Sequence, residues 1–409
     1  MSFDQEHFNL PENLHELVFR TSPVYKLEIV DRLGQAEKES VTSLVSNDPT
    51  FYGILCPSGE ASGTIKTVCQ KTALLLYTLR EPAKAPSYLS NSNPREALID
   101  LWKLVLDGIL EVEISGRFIS GPEAAAKLKS SGARHQKLND LNFADSYLAS
   151  LSINALKYAQ SLEINEAISL STRLYAYNRY PNTAKWYQFL QNDEDCLKFL
   201  GVGYGSKLAN KLKDEWQQST MAPPNNGWFV WKRKSRKKDK SSPDRIRYKL
   251  YISPSMSDTA TVLRESISTL AEEEGVSTFK VGKGSEGLLR PDKMVAYFAS
   301  FESLAAVEKR LFSKLEGAAV QGTPFTADFS SHGLTSWGQD PPASDHLTGW
   351  LLDRSWRTWI ASRLASGIIA ARTSPACDIE PWEFALEKIE LLGVDLKTWS
   401  PKAEVWSGQ

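Results

Sequence analysis

A chain of 409 residues with 42% hydrophobic and 24% charged side chains has the make-up of a folded protein of two or three domains, and excludes a disordered chain, a collagen-like repeat or a coiled-coil rod. Its 48 Lys+Arg against 49 Asp+Glu leave a formal net charge of -1, which argues against a globally basic nucleic-acid binder while leaving room for a local basic patch. The four cysteines, Cys56, Cys69, Cys196 and Cys377, form no CxxC pair, so neither a zinc site nor a disulfide framework is expected and a reducing compartment fits. Residues 1–22 are polar and acidic without an apolar core, and read as a flexible end rather than a secretory signal. VYKLEIVDRL is ambiguous between strand and helix. FYGILCPSG reads as a strand running into a turn, and TIKTVCQKTALLLYTL as a helix. REALIDLWKLVLDGIL is a strongly amphipathic helix with Pro94 at its start and Gly108 near its end. EVEISGRFISG alternates like a β-hairpin.

Residues 23–120 therefore read as strands, helices and a hairpin. On YGILCPSG, the helix around Thr67–Leu79 and the helix ending in LVLDGILEVE, this stretch resembles the PqqD-like RiPP recognition element, a module that binds leader peptides. A winged-helix module or an unrelated α+β lobe would show the same order of elements. Residues 121–222 are mainly helical, with FADSYLASLSINALKYAQSLEINEAISLSTRLYAYN as one long helical run. Gly201–Gly205 in GVGYGSKLANK lacks the Lys-Ser/Thr ending of a phosphate loop and reads as a helix C-cap and loop.

At MAPPNNG the composition changes, and residues 223–409 form the last unit. GWFVWKRK and RIRYKLYISP are strands joined by a basic loop. From Lys232 to Lys249 there are ten Lys/Arg against two Asp, which is either a solvated hairpin or an anion-attracting rim. Arg245, Arg247 and Lys249 share one face of a strand at period two. A helix (TATVLRESISTLAEEEG), a strand (STFKVGKG), a loop feeding a strand (LLRPDKMVAYFAS) and a second helix (FESLAAVEKRLFSKLEG) follow. Two more helices, in TGWLLDRSWRTWIASRLASGII and DIEPWEFALEKIELLG, end the chain. The expected fold is α+β: a C-terminal lobe with a mixed or antiparallel sheet flanked by helices, a helical middle and a small N-terminal α+β lobe. The longest apolar stretches carry charges and are too short for a bilayer, so a cytoplasmic protein is expected. Seven late tryptophans, Trp337 to Trp406, read as core packing and surface anchors.

The segment 245–297 concentrates Lys249, Tyr251, Lys280, Lys283, Arg290, Lys293 and Tyr297, with no carboxylate pair and no Ser–His–Asp order. Such a set suits an anionic substrate and the removal of a proton beside a carbonyl while an anion leaves. RYKLYISP, FKVGKG, RPDKMVAYF and TPFT…HGLTSWGQDPP…SWR together resemble the HopA family of type III effectors and its bacterial biosynthetic relatives, over about residues 225–370. More distantly they resemble the phosphothreonine lyases of the OspF/SpvC class.

The resemblance implies a lanthipeptide- or thioamitide-type lyase that eliminates phosphate from phosphorylated Ser or Thr of a precursor peptide, leaving dehydroalanine or dehydrobutyrine. It places the family's base on Lys280 and its general-acid position, a His in the distant lyases, on Tyr251. It places phosphate-binding and ordering roles on Arg290 and Tyr297, and on Arg354 or Arg357. His332, near a family motif, is a second candidate acid or a loop histidine. Arg247, Lys249, Lys283 and Lys293 complete the expected phosphate-binding set, and Asp340 reads as a rigid loop end. Taken alone, Lys280 could be a snorkelling strand lysine. Among neighbouring cations its amine would be pushed toward neutrality, as a base needs. No metal or organic cofactor is implied. The implied partners are a precursor peptide, a separate kinase and a cyclase, with no nucleic acid and no membrane. A non-catalytic peptide-binding scaffold or effector, and DNA binding through Lys232–Lys240, are the competing readings.

Overall fold

The computed structural model of the chain describes residues 10, 11, 13–32, 34, 35, 38, 41, 49–58, 66–91, 94–129, 138, 140–219, 227–234, 248–329, 332–341, 355–374, 378–402 and 406. The architecture is the α+β arrangement expected, and every described strand pairing is antiparallel. Arg245 and Arg247, read as part of a strand, the basic run 235–240 and Arg354 lie outside the described residues.

The N-terminal lobe holds two small sheets. In one, β1 (Val18–Thr21) lies between β5 (Ala83–Lys84) and β6 (Leu110–Ile114), and β6 pairs with β7 (Arg117–Ile119). The segment 1–22, read as flexible from its polarity, thus contributes a strand: Phe19 is fully buried there opposite Val112. The second sheet is β2 (Tyr25–Ile29), β3 (Phe51–Pro57) and β4 (Lys66–Cys69). The ambiguous VYKLEIVDRL resolves into β2 and a 3-10 turn over Val30–Arg32. Helices α1 (Gln70–Thr78), α2 (Pro94–Leu106) and α3 (Gly121–Leu128) complete the lobe, with Leu101, Trp102, Val105 and Ile109 in its core. Gly108 takes φ 70°, which lets the chain leave α2 directly into β6.

The long helical run divides into α4 (Tyr147–Ser161) and α5 (Ala167–Ala176). Extended backbone at Leu162 and Glu166 makes the break, and α5 folds back so that Leu170 and Leu174 join the core of the C-terminal helices. Short helices α6 (Ala184–Phe189), α7 (Asp193–Phe199) and α8 (Lys207–Glu215) lead into the large sheet, each started by a Thr, Asn or Ser side chain that accepts a backbone N–H.

The large sheet has seven strands: β8 (Trp216–Ser219), β9 (Trp228–Arg233), β10 (Tyr248–Ile252), β11 (Val276–Gly282), β12 (Met294–Phe298), β13 (Ala327–Asp328) and β14 (Thr335–Gln339). Their order across the sheet is β13-β14-β10-β12-β11-β9-β8. One face packs on α9 (Thr259–Ala271) and α11 (Phe301–Lys314), with α10 (Gly284–Leu288) between β11 and β12.

The last two helices are α12 (Trp356–Thr373) and α13 (Pro381–Leu391). Helix α12 buries most of its circumference and leaves a stripe of Thr358, Ser362, Ser366 and Thr373 unburied. It approaches α13 so closely that a Cβ on Gly367 would meet the Ala385 Cα at 2.8 Å. Trp356, Trp359 and Trp406 stack and cross each other in this core. Among the described residues, no helix is long and apolar enough to cross a membrane.

Candidate active site

Alternation along the strands sorts the side chains of the large sheet. Leu250, Ile252, Phe279, Val281, Met294, Ala296 and Phe298 enter the core under α9 and α11. Their neighbours Lys249, Tyr251, Lys280, Val295 and Tyr297 belong to the other face. The register carries Tyr251 and Lys280 on one rung, both opposite Val295, with Lys249 opposite Tyr297 on the next. Two strand spacings put the Lys280 and Tyr251 backbones about 10 Å apart. Tyr175 of α5 and Arg357 from the first turn of α12 meet this face.

The Lys280 amine lies 4.1 Å from the centroid of the Trp228 ring and 5.6 Å from that of Tyr297. It has no hydrogen bond or ion pair among the described residues. Burial lowers its pKa from 10.5 to about 8; Asp292 opposes that fall, Lys249 and Arg290 deepen it, and Asp340 opposes it again. The amine is thus partly neutral near physiological pH.

Beside it stands an arginine–carboxylate network. Arg290 grips Asp292 through Nε at 2.8 Å and Nη2 at 2.9 Å. The Tyr175 hydroxyl donates to the same carboxylate at 2.9 Å and accepts from Arg290 Nη2 at 2.9 Å. Arg357 Nη1 lies 2.9 Å from Asp292 Oδ2, and its Nη2 donates to the Tyr175 carbonyl at 2.8 Å. Burial alone would raise the Asp292 carboxyl, but Arg357 and Arg290 hold it well below the usual carboxylate range. Arg290 also lies 4.8 Å over the Trp228 ring, which therefore faces both the amine and the guanidinium.

Lys249 is 7% exposed and donates to Asp340, with the Tyr297 ring 5.5 Å from its amine. Asp340, just past the end of β14, is raised by burial even though Lys249 pulls it down, and the backbone N–H of Trp356 steadies its charge. Tyr251 is 4% exposed, and its hydroxyl has no hydrogen-bond partner among the described residues. Burial and then Asp340 push it well above 10, so the phenol stays protonated. Burial raises Tyr297 as well. Lys249, Arg290 and Arg357 stand against Asp292 and Asp340, so the fixed groups carry one net positive charge.

The other sequence candidates lie elsewhere. Lys293 is fully buried; its amine donates to the Pro254 carbonyl at 2.6 Å and to the Gln321 side chain, clasping two loops together. Burial lowers it to about 7, but it makes no contact with Lys280 or the arginines. Lys283 pairs with Asp193 of α7 at 2.8 Å on the rim. His332 is exposed, its ring 5.9 Å from Phe312 of α11, the helix on the opposite face of the sheet. That side is wrong for an acid acting with Lys280. Arg247 and Arg354 lie outside the described residues.

The structure adds four residues that the sequence reading left out: Trp228, Tyr175, Asp292 and, as more than a loop end, Asp340. Asp292 had a signal, lying between Arg290 and Lys293 in RPDK. Trp228 sits two residues before Val230 on the same strand face. Nothing in the sequence marked Tyr175.

No family model matches the chain, and no curated protein matches it. Among solved structures, the effector protein from Pseudomonas syringae pv. tomato strain DC3000 is 12% identical, with a TM-score of 0.41 over 63% of this chain and 98% of that one. The effector protein from Pseudomonas syringae pv. syringae strain 61 is 13% identical, with a TM-score of 0.37 over the same shares, 63% and 98%. A structure reported for the catalytic mechanism of phosphothreonine lyase is 12% identical, with a TM-score of 0.25 over 46% of this chain and 88% of that one. At such scores these likenesses carry no functional argument, which has to come from the site itself.

Proposed function

We propose that the protein is a cofactor-independent phospho-Ser/Thr lyase that acts on a ribosomal precursor peptide. The observation that carries this reading is the Lys280 amine. It has no hydrogen bond or ion pair among the described residues, is flanked by two aromatic rings and is lowered to about 8, among arginines and a protonated phenol. An α-proton of an amide-linked residue is weakly acidic, so its removal needs a neutral amine beside groups that favour departing charge.

In the proposed reaction Lys280 takes the α-proton, and the electrons of that C–H bond become the Cα–Cβ double bond. The Cβ–O bond breaks and phosphate leaves with the bridging oxygen. Tyr251 donates a hydrogen bond or a proton to that oxygen. Arg290, Arg357 and Lys249 balance the charge on the phosphate, and Tyr297 packs against Lys280. The products are dehydroalanine or dehydrobutyrine, inorganic phosphate and a protonated lysine.

The motif resemblance to the HopA family supports the same reading and suggests the setting: the N-terminal lobe captures the leader, a separate kinase supplies the phosphate, and a cyclase consumes the alkene, all in the cytoplasm. The test is to mix the protein with phosphorylated precursor and follow loss of one phosphoric acid by mass spectrometry, with Lys280→Ala as control.

A second reading is a phosphopeptide-binding scaffold. It is favoured by Asp292 and Asp340, which already engage Arg290, Arg357 and Lys249. A phosphopeptide that binds and stays intact under all conditions would select it.

A further inference from the structure

We propose that Asp340 occupies the seat of the substrate phosphate, as an internal anion that the phosphate displaces. This deepens the lyase reading and rests on it only for the identity of the phosphoester. Two elements converge on the Asp340 carboxylate. Lys249 donates to it from β10, and the backbone N–H of Trp356, the first residue of the 18-residue helix α12, faces it. That helix end is pressed onto the sheet at the residue paired with Lys249: a Cβ on Gly338 would lie 2.4 Å from Trp356 Cδ1, and Gly338 is the register partner of Lys249.

A helix N-terminus over a lysine favours an anion, and a carboxylate already holds it. A separate observation points to an acceptor not yet supplied. Arg357, in the first turn of the same helix, is 2% exposed, and its Nε is buried with no hydrogen-bond partner among the described residues. Buried guanidinium N–H groups rarely stay unpaired. Phosphate carries more oxygens than a carboxylate, so it can take the Lys249 amine and the helix end while offering one to Arg357. It cannot do so with the Asp340 carboxylate in place, because like charges in one seat repel. Rotation of the Asp340 side chain, past the end of β14, opens the seat.

The test is calorimetric binding of inorganic phosphate to the full chain, with a phosphoserine peptide and its unphosphorylated form as further arms. No turnover is required, so failure of the lyase chemistry and failure of the seat are distinguishable. Asp340→Asn and Asp340→Ser are each expected to bind phosphate at least about tenfold more tightly than the wild type, and Asp340→Glu to match the wild type. Lys249→Met is expected to weaken binding about tenfold, and this decides the matter if the neutral variants fail to fold. Equal or weaker binding by folded Asp340→Asn and Asp340→Ser, tighter binding by Asp340→Glu, or unaltered binding by Lys249→Met overturns the proposal. The phosphopeptide is expected to follow inorganic phosphate through the series. If the unphosphorylated peptide shows the same gain, the seat is not a phosphate seat.

Discussion

Truncating Lys280 to alanine removes the one amine of the site that has no hydrogen bond or ion pair among the described residues. The size of the effect follows from its ionisation. An amine with an ordinary pKa of 10.5 is neutral in about one molecule in three thousand at pH 7, whereas one lowered to about 8 is neutral in roughly one in ten. The fold therefore supplies a few-hundredfold gain in active base before any gain from positioning. A positioned base adds about 10²–10⁴-fold more, so Lys280→Ala should lower the elimination rate by at least about 10²-fold. The assay is single-turnover elimination from a phosphoserine peptide, read by mass spectrometry across pH. In the wild type the logarithm of the rate should climb with unit slope toward pH 8 and then level off. Stability gives a second readout with a definite sign. The folded protein gives up the Lys280 proton near pH 8 and the unfolded chain near 10.5, so the folded state binds fewer protons between those values. Wild type should gain stability relative to Lys280→Met across that window, and its deficit should be constant below it. Full activity in Lys280→Ala, or a rate flat between about pH 6 and pH 9, would refute the assignment of the base.

Tyr251→Phe removes only a hydroxyl with no described partner, so the melting temperature should hold while elimination falls by about 10²-fold or more; an unchanged rate removes Tyr251 as the acid. Asp292→Asn leaves Arg290 and Arg357 short of their counter-ion in a buried setting and should cost about 3–5 kcal/mol in denaturant unfolding. A loss below about 1 kcal/mol would mean that water already balances those charges. Lys249→Met takes away a cation that lowers Lys280 and releases Asp340, which raises it, so the acid limb of the rate profile should move to higher pH. A limb that stays in place, or moves down, contradicts the charge arrangement.

What the sequence made legible is what depends on local period. The strands YKLYI, TFKVG and MVAYF and their crowd of cations and phenols could be read from the sequence, but only the pairing register brings Lys249, Tyr251, Lys280 and Tyr297 onto neighbouring rungs of one face. The order β9, β10, α9, β11, β12, α11, α12 and α13 was readable from that local period, whereas the short elements α10, β13 and β14 were not. Long-range partners were not. Tyr175 reaches Asp292 across 117 positions, and no local pattern encodes such a contact. His332 was drawn toward the site by its motif, yet the turn before β14 leaves it on the side of α11. Val18–Thr21 was hidden because a short strand among polar residues has too few positions to show a period, and only pairing with β6 buries Phe19.

Helix α12 has one more consequence. Its 18 residues make a rod about 27 Å long. Arg357 stands at one end, and Ala371, at the other, packs with Phe384 and Leu391 among the apolar side chains of the first 130 residues. Excising residues 223–409 as a free-standing unit would strip cover from that far end and loosen the support of the arginine. The two ends of the polypeptide are thus braced against each other through α12 and α13, and a chain shortened to its large sheet would lose part of the scaffold that holds Arg357 in place.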